Sequence, residues 1–291
     1  MEFTTQEYPC SLCNSNTTKP LVVKSGFSIV QCVECNFVYV NPRITNEQLK
    51  DIYSHNYFKN KDYGYVGYEQ EKRLRVKNFE RWLKKATSFM AAGKQVNALD
   101  VGCAAGYCLN VMKAKGWDAE GLELDAEMFI NLENDSQIVY NRSLDNFESK
   151  HKFHVITLFD VIEHIPDIDA AFKQLNNLLN AEGIVIMVTP NHNSLQRKIF
   201  GKRWFQYKPI EHIQYFTLQS ITAFAGRNNL QIIHSSTCGQ YADTHFLVTR
   251  LKYYHFEFFS KLFDKIFHLL NLKNRFFYMD TCSLFVVLKK M

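Results

Sequence analysis

From residue 96 onward, short apolar runs alternate with amphipathic segments, and this alternation limits the possible folds more than any other feature of the chain. The runs that predict strands are residues 96–101, 118–124, 137–140, 153–160 and 183–189. Helical patterns lie between most of them, for example at 126–133 and 168–180. Strands that alternate with helices form a parallel sheet covered by helices. The sequence therefore predicts an α/β fold with a doubly wound sheet.

A short loop, LDVGCAAGY at residues 99–107, follows the first predicted strand. Ligands of doubly wound sheets bind at the carboxyl ends of the strands, where the strand order reverses. A dinucleotide fingerprint requires G-x-G-x-x-G, but counted from Gly102 the later glycine places hold Ala104 and Tyr107. No Lys-Ser/Thr pair follows, which excludes a P-loop. The loop therefore suits a ligand with a nucleoside and a small carboxylate but no phosphates.

An acidic residue, Glu123, ends the second predicted strand about 20 residues after the glycine loop, where an acid can accept hydrogen bonds from both ribose hydroxyls. The alternative is a solvated charge at a strand end. Because the loop and the acid occur together, we favour a ribose contact for Glu123.

Four of the eight cysteines lie near the amino terminus as two C-x-x-C pairs, Cys10/Cys13 and Cys32/Cys35. This spacing is typical of a tetrahedral Cys₄ zinc site in a ribbon of two short hairpins. Four protein ligands leave no open coordination position, so we expect a structural Zn²⁺. The alternative is a set of four unrelated buried cysteines.

Three regions follow from these patterns. Residues 1–45 are predicted to form the zinc ribbon. Residues 46–95 hold a tyrosine-rich segment and a helix, predicted over 69–92 and ended by Gly93. Residues 96–291 are predicted to form the ligand-binding domain, with 252–277 as a helical insert before the last strand.

Composition places few limits on the partners of the protein. The net charge of +5 permits an anionic substrate, but nucleic-acid binding normally requires a concentrated basic face. The first residues, MEFTTQEYPC, contain no apolar signal segment, and no run reaches the ~18 apolar residues of a membrane span. We therefore expect a cytoplasmic protein with reduced thiols.

Taken together, the motifs resemble those of class I S-adenosylmethionine (AdoMet)-dependent methyltransferases that carry an amino-terminal zinc ribbon. The resemblance covers nearly the whole chain. It rests on C-x-x-C…C-x-x-C followed by VYVNPR, then LDVGCAAGYCL, GLELD, FDVIEHIPD and PIEHIQYFT. The usual family loop is G-C-G-x-G, and here Ala104 stands at the middle glycine. The resemblance implies a Rossmann-like, seven-stranded sheet whose antiparallel strand is residues 281–290.

The same resemblance implies a set of cofactor-binding residues. Asp100 and the loop would surround the methionine part of AdoMet, Glu123 would take the ribose, and Leu124 and Leu144 would lie near the adenine. The implied set is Asp100, Gly102, Cys103, Ala104, Gly106, Tyr107, Glu123, Leu124, Leu144, Phe159 and Asp160.

Methyl transfer requires an aligned nucleophile and often a group that removes its proton. A histidine of near-neutral pKa suits that task, and three lie near predicted strand ends: His164, His192 and His212. We expect a solvated His192 and take His212 and His164 as the catalytic candidates, His212 first. For each, a packing or capping role is the alternative.

Two further segments allow several interpretations. Residues 197–208 interleave basic and aromatic residues, and this pattern is compatible with a phosphorylated acceptor paired with Arg203, an RNA-facing patch, or a lid with inward aromatics. Residues 252–277 form an amphipathic pattern with a phenylalanine- and leucine-rich face. That helix is predicted to cover the acceptor pocket or, alternatively, to make a peripheral membrane contact.

The sequence favours a small-molecule methyltransferase acting on a sugar, nucleotide-sugar, surface-glycan precursor or other secondary metabolite. The alternatives are a methyltransferase of ribosomal RNA or another nucleic acid, and an O-methyltransferase of a quinone-like lipid. Nucleic acid is the less favoured substrate, because Asp160-Val-Ile-Glu163 stands where amino-methylating enzymes of nucleic acids typically carry Asn/Asp-Pro-Pro-Tyr/Phe.

Overall fold

The structure is a computed structural model of the chain. It describes residues 3–54, 57, 71–90, 95–135, 137–253, 256–269 and 275–291. Gly93, most of the tyrosine-rich segment and parts of the 252–277 insert lie outside the described residues.

The amino-terminal part contains short strands followed by two helices. The strands are β1 (Thr5–Gln6), β2 (Thr18–Lys24), β3 (Phe27–Cys32), β4 (Val38–Val40) and β5 (Arg43–Ile44), and the helices are α1 (Asn46–Ser54) and α2 (Lys72–Thr87). The helix predicted over 69–92 is α2.

The remaining elements alternate as the sequence predicts. In chain order they are β6 (Asn97–Val101), α3 (Tyr107–Ala114), β7 (Asp118–Leu122), α4 (Ala126–Asn134), β8 (Ile138–Tyr140), β9 (Phe153–Phe159), α5 (Ile168–Leu178), β10 (Leu179–Thr189), α6 (Leu195–Phe200), β11 (Gln214–Tyr215), α7 (Leu218–Arg227), β12 (Leu230–Ala242), α8 (Thr244–Tyr253), α9 (Glu257–Leu269) and β13 (Phe277–Lys290).

Seven of these strands form one mixed sheet in the order β12-β13-β10-β9-β6-β7-β8. Strand β13 runs antiparallel to both of its neighbours, β10 and β12, and the other described pairs are parallel. This confirms the prediction of a Rossmann-like, doubly wound sheet with one antiparallel strand. The antiparallel strand begins at Phe277 rather than at residue 281.

The strand order reverses between β6 and β9, because the chain proceeds from β6 to β7 and β8 and then returns to pair β9 with β6. Such a reversal opens a crevice at the carboxyl ends of the two strands. The glycine loop follows β6, and Asp160 follows β9, so both lie at this crevice.

Apolar side chains fill both faces of the sheet. On one face, α5 and α7 contribute Phe172 and Phe224, and on the other, α2 and α3 contribute Trp82 and Leu109; all four are buried. Burial of side chains of this size contributes about 1.5–3 kcal/mol each. The helices that frame the crevice are therefore fixed by the same core that holds the sheet.

The amino-terminal ribbon is joined to the main domain by a second sheet, in the order β11-β4-β3-β2. Gln214 and Tyr215 pair antiparallel with Tyr39 and Val38. Cys10 and Cys32 belong to the same buried cluster as Phe216 of the main domain and Phe224 of α7. The ribbon and the chain around residue 214 therefore share a core.

Helix α9 carries the amphipathic pattern of the 252–277 insert. Its large apolar side chains are exposed, with 73% exposure at Phe258 and 85% at Leu269, whereas Ser260 is buried and donates to Val248 O at 3.2 Å. None of its described side chains lines the crevice. The prediction that this helix packs over the acceptor pocket is therefore wrong for its described part. Only one side of α9 contacts the rest of the protein. In the described residues, no helix is both long and apolar enough to cross a membrane.

Two glycines give a direct test of the packing. A Cβ at Gly121 in β7 would lie 2.6 Å from Cys103 Sγ, whereas one at Gly226 in α7 would meet only Met291 Cε at 4.0 Å. We expect Gly121→Ala to lower the free energy of unfolding by about 1–3 kcal/mol. Gly226→Ala, the matched control, should raise it by up to about 1 kcal/mol. Urea unfolding measures both, and equal effects would contradict the described packing behind the loop.

Candidate active site

A single cavity of about 620 Å³ lies over the crevice between β6 and β9. This volume is within the usual range for small-molecule pockets, about 300–1,000 Å³. Its walls come from α1 and α2, from the carboxyl ends of β6, β7 and β9, and from residues 205–212. The elements that converge here are distant in sequence, so the fold assembles the site.

The glycine loop takes left-handed backbone conformations at three positions, with φ of +70° at Gly102, +47° at Ala104 and +69° at Gly106. Glycine adopts this region without cost, but an L-residue does not. A Cβ would also lie 2.7 Å from Val161 Cγ2 at Gly102 and 2.5 Å from Leu132 Cδ2 at Gly106. Both glycines are therefore required by the backbone and by packing, and Ala104 is the strained position.

The Glu123 carboxylate holds this loop in place. Its Oε2 accepts from Ala104 N at 2.7 Å, and its Oε1 accepts from Leu124 N and Asp125 N, both at 2.8 Å. Burial raises the pKa of Glu123 to about 7, although these hydrogen bonds oppose the shift. A carboxylate has about four acceptor positions, so about one remains for a ligand in the cavity.

Asp100 lies at the end of β6 and is 3% exposed. Its Oδ1 accepts from Thr157 Oγ1 at 2.5 Å, and burial raises its pKa to about 7. Because no described lysine or arginine pairs with this carboxylate, it is suited to contact a cationic ligand group.

Nine residues of the cofactor set implied by the sequence line the cavity: Asp100, Gly102, Cys103, Ala104, Glu123, Leu124, Leu144, Phe159 and Asp160. Gly106 and Tyr107 lie behind the loop, where Gly106 approaches Leu132 and the Tyr107 side chain is 7% exposed. The Phe159 ring packs against Trp82 and Phe79 of α2, with ring centroids 5.1 and 5.6 Å apart. One end of the cavity is therefore built largely from the predicted residues.

The other end of the cavity holds a polar cluster of Glu163, His164 and His212. One potential ligand atom from each of the three lies within 4.8 Å of the others. The two imidazole rings meet edge to face, with centroids 4.9 Å apart. The structure thus brings together the two histidines that the sequence offered as separate candidates.

Backbone carbonyls fix both histidines. His212 Nδ1 lies 2.9 Å from Gln206 O, and His164 Nδ1 lies 2.9 Å from Glu211 O. A carbonyl oxygen only accepts, so each Nδ1 carries the proton and each Nε2 carries the lone pair. Burial lowers the pKa of His164 to about 4 and that of His212 well below its usual value. Both imidazoles are therefore neutral at pH 7.

Two acids stand beside the histidines. Glu163 is 1% exposed; its Oε2 accepts from Thr189 Oγ1 at 2.9 Å, and its Oε1 has no partner in the described part of the chain. Burial and the nearby Asp160 carboxylate raise the pKa of Glu163 to about 8. Asp160 is exposed to the cavity, and desolvation by the surrounding protein raises its pKa to about 6, against the effect of Arg75 and Lys208.

Sequence reasoning missed the groups that surround this cluster. Tyr53 Oη lies 2.8 Å from His164 Nδ1 and 3.0 Å from Glu211 O. Tyr57 Oη donates to Glu211 Oε2 at 3.2 Å, and Lys208 Nζ lies 3.4 Å from the same oxygen. Two sequence features could have pointed to these groups: the tyrosine-rich segment and the Glu-His pairs in DVIEH and PIEHI.

His192 does not belong to this cluster, and the prediction that it is solvated is wrong. It is 6% exposed, and its Nε2 lies 3.0 Å from Tyr207 Oη. Trp204, Phe205 and Tyr207 are also buried, so the aromatic residues of 197–208 turn inward, as in the lid interpretation. Arg203 is exposed and is not among the residues that line the cavity.

The four amino-terminal cysteines form a candidate metal centre away from the cavity. The Cys10–Cys35 and Cys13–Cys32 Sγ pairs are each 3.4 Å apart, and all four sulfurs lie within 4.8 Å of one another. A tetrahedron with Zn–S bonds of about 2.3 Å requires sulfurs about 3.8 Å apart. Asn14 and Asn36, one residue after each C-x-x-C, both have φ near +60° and close equivalent turns onto Cys10 O and Cys32 O.

Comparisons with known proteins agree with this architecture. Residues 71–235 match the family described as Methyltransferase domain. A ubiquinone biosynthesis O-methyltransferase of Pelagibacter ubique is 31% identical over 114 residues, which cover 37% of this chain and 47% of that protein. The chain thus spans about half the length of the curated relatives it matches.

Two solved structures share the fold. The plantazolicin methyltransferase BpumL, in complex with SAH, superposes with a TM-score of 0.53 at 14% identity, over 84% of this chain and 98% of that chain. An S-adenosylmethionine-dependent methyltransferase from Clostridium acetobutylicum gives 0.52 at 15% identity, over 77% and 97%. The match to more than half of the chain is decisive: this protein belongs to the methyltransferase-domain family and has the fold of class I S-adenosylmethionine-dependent methyltransferases.

Proposed function

We propose that the protein transfers a methyl group from AdoMet to a hydroxyl oxygen of a small aromatic molecule. The observation that carries this proposal is the single cavity that joins Glu123 and the glycine loop at one end to the Glu163–His164–His212 cluster at the other. A methyl donor and an acceptor can therefore occupy one continuous cavity.

The donor end of the cavity suits AdoMet. Glu123 offers its remaining acceptor position to a ribose hydroxyl, and Leu124 and Leu144 provide an apolar wall for an adenine. Asp100, without a described cationic partner, would face the ammonium of the methionine part. When bound, AdoMet supplies an electrophilic methyl group, and this chain's residues must place the acceptor oxygen in line with it.

The acceptor end favours an aromatic hydroxyl compound. Tyr53 and Tyr57, whose ring centroids lie 5.0 Å apart, line the cavity beside His164 and Glu211, and such rings pack well against a planar ligand. The name of the Pelagibacter ubique relative, ubiquinone biosynthesis O-methyltransferase, supports a phenolic or quinone-like acceptor.

The other predicted acceptors have weaker support. A phosphorylated sugar would need a cation such as Arg203, which does not line the cavity. An RNA-facing patch at residues 197–208 would need exposed aromatic rings for base stacking, but Trp204, Phe205 and Tyr207 are buried. A non-phosphorylated sugar remains a prediction.

His212 and His164 are proposed to act on the acceptor hydroxyl. Both rings line the cavity. The Nε2 lone pair of a neutral imidazole can accept a hydrogen bond from the acceptor hydroxyl and then its proton. His212 makes fewer hydrogen bonds than His164 within the described residues, so we assign His212 the larger part in removing the hydroxyl proton.

We propose that the four amino-terminal cysteines bind one structural Zn²⁺. Cys10, Cys13, Cys32 and Cys35 match a tetrahedral thiolate site, and no fifth ligand position is open. Because the ribbon strand β4 pairs with β11, which begins two residues after His212, the zinc would also support the acceptor end of the cavity.

We further propose that α9 contacts a lipid surface. Its exposed apolar side chains lie next to α8, whose Phe246 lines the cavity, so a membrane here would adjoin a site for quinone-like acceptors. Glu257 and Asp264 balance Lys261 and Lys265, so apolar insertion rather than charge would drive this contact.

The cofactor assignment predicts the effect of Glu123→Gln. An amide cannot replace all the acceptor positions of the carboxylate, so the Kd for AdoMet should rise about 10- to 100-fold, equivalent to about 1.5–3 kcal/mol. Isothermal titration calorimetry measures the change, with exposed Glu133→Gln as the matched control. An unchanged Kd in Glu123→Gln would contradict the ribose contact.

The acceptor assignment predicts that His212→Ala lowers kcat about 10²- to 10⁴-fold while the Kd for AdoMet stays nearly constant. The control is His268→Ala on the exposed α9. If the acceptor is a phenol, the loss should shrink at high pH, because a phenol ionises by itself; an aliphatic hydroxyl should show no rescue. Full activity of His212→Ala with methyl acceptors of both kinds would rule out this role.

The zinc assignment predicts that Cys13→Ser loses one zinc per chain by elemental analysis, whereas Cys282→Ser, outside the ribbon, retains it. Because the ribbon shares a core with residues 214–216, Cys13→Ser should also reduce kcat more than it weakens AdoMet binding. Retention of the zinc in Cys13→Ser would contradict the Cys₄ site.

The lipid contact predicts that the protein co-sediments with vesicles of phosphatidylcholine and phosphatidylglycerol. Phe258→Glu with Leu269→Glu should abolish this binding, whereas Ile199→Glu, which alters an equally exposed apolar residue on α6, should not. Binding that survives the double substitution would place the contact elsewhere.

A further inference from the structure

The polar cluster at the acceptor end has the composition of a metal site. It combines one carboxylate, Glu163, with two imidazoles, His164 and His212, whose potential ligand atoms lie within 4.8 Å of one another. Two histidines and one carboxylate are a donor set for divalent first-row transition metals, because imidazole suits these ions better than Mg²⁺ or Ca²⁺.

The cluster also has unused electron pairs. Glu163 Oε1 is buried and accepts no hydrogen bond from the described residues. A buried acceptor without a partner costs about 1–3 kcal/mol, more when it is charged. The Nε2 atoms of His164 and His212 likewise have no described hydrogen-bond partner, because each histidine bonds through Nδ1.

The hydrogen bonds that surround the three side chains are those that metal-binding residues usually make to neighbouring groups. Metal-binding histidines normally donate the other ring N–H to a carbonyl or carboxylate, and metal-binding carboxylates are themselves hydrogen-bonded. Here His164 and His212 donate from Nδ1 to Glu211 O and Gln206 O, and Thr189 donates to Glu163 Oε2. A purely structural cluster has no need to leave both Nε2 atoms and Oε1 open together.

We propose that Glu163, His164 and His212 bind a divalent transition-metal cation whose open coordination positions face the cavity and take an oxygen of the acceptor. The identity of the acceptor at this site rests on the proposed function, whereas metal binding by the three side chains does not. It is distinct from the ribbon, whose four thiolates leave no position for a substrate.

Such a cation would lower the pKa of a bound acceptor hydroxyl, as it lowers the pKa of a bound water. The hydroxyl proton leaves to water, and the resulting oxyanion attacks the methyl carbon. The O–C bond forms as the S–C bond breaks, and the sulfur leaves as a neutral thioether. In this arrangement the Nε2 lone pairs of both histidines hold the metal, and the metal replaces them in the removal of the hydroxyl proton proposed above.

The surrounding charges permit a cation. Asp160 adds a second carboxylate close to Glu163. The cations that act on these carboxylates already have acidic partners: Lys208 Nζ lies 3.4 Å from Glu211 Oε2, and Arg75 Nη2 lies 3.2 Å from Glu71 Oε2.

Binding of Mn²⁺ tests the site without AdoMet, acceptor or activity. The zinc-loaded chain is titrated with Mn²⁺, and free Mn²⁺ is measured by electron paramagnetic resonance; soft ribbon thiolates do not favour Mn²⁺. We expect one Mn²⁺ per chain in the wild type and in His268→Ala. Binding should be at least about tenfold weaker in Glu163→Gln, His164→Ala and His212→Ala, because each removes a ligand.

The proposal is overturned if the wild type binds neither Mn²⁺ nor Co²⁺, or if the three variants bind as tightly as the wild type. Thermal unfolding and AdoMet binding establish that each variant is folded, and Glu163→Asp, which keeps the carboxylate, should retain part of the affinity. Failure of Mn²⁺ binding alongside normal methyl transfer would overturn the metal site and leave the proposed function intact.

Discussion

The peptide group of Ile213 links the main parts of this molecule. Its N–H donates to Glu163 O at 3.1 Å, and its carbonyl accepts from Val40 N at 3.0 Å. A single extended residue thereby connects the ribbon strand β4 to the turn that follows β9. Since His212 is the preceding residue, the position of its imidazole depends on this pairing, and the four-cysteine ribbon thereby supports the Glu163–His164–His212 cluster.

Local patterns were sufficient for most of the sheet. The apolar runs before Gly102 and around residues 153–159 and 183–189 are buried on both faces, so their sequences are nearly all apolar and identify strands directly. β12 was missed because it lies at the sheet edge and mixes polar with apolar residues, as in His234-Ser235-Ser236-Thr237. Its pairing with β13 is a tertiary effect that local periodicity does not contain.

Motif spacing was enough to predict that Glu123 and the glycine loop lie together, because they are close in sequence. That they bind a cofactor stays a prediction, and contacts between distant segments were missed. Glu163 was not recognised as a site residue, because its role depends on the return of His212 from another part of the chain. His192 appeared to lie in a polar turn, but Tyr207 covers it, a contact that no spacing rule predicts.

The loop after β6 and Glu123 are expected to bind AdoMet rather than a dinucleotide. Calorimetric titration of the purified protein with AdoMet, and separately with NAD, distinguishes these two ligands. We expect saturable binding of about one AdoMet per chain and no measurable binding of NAD. Tighter binding of NAD than of AdoMet, or no binding of AdoMet, would contradict this expectation.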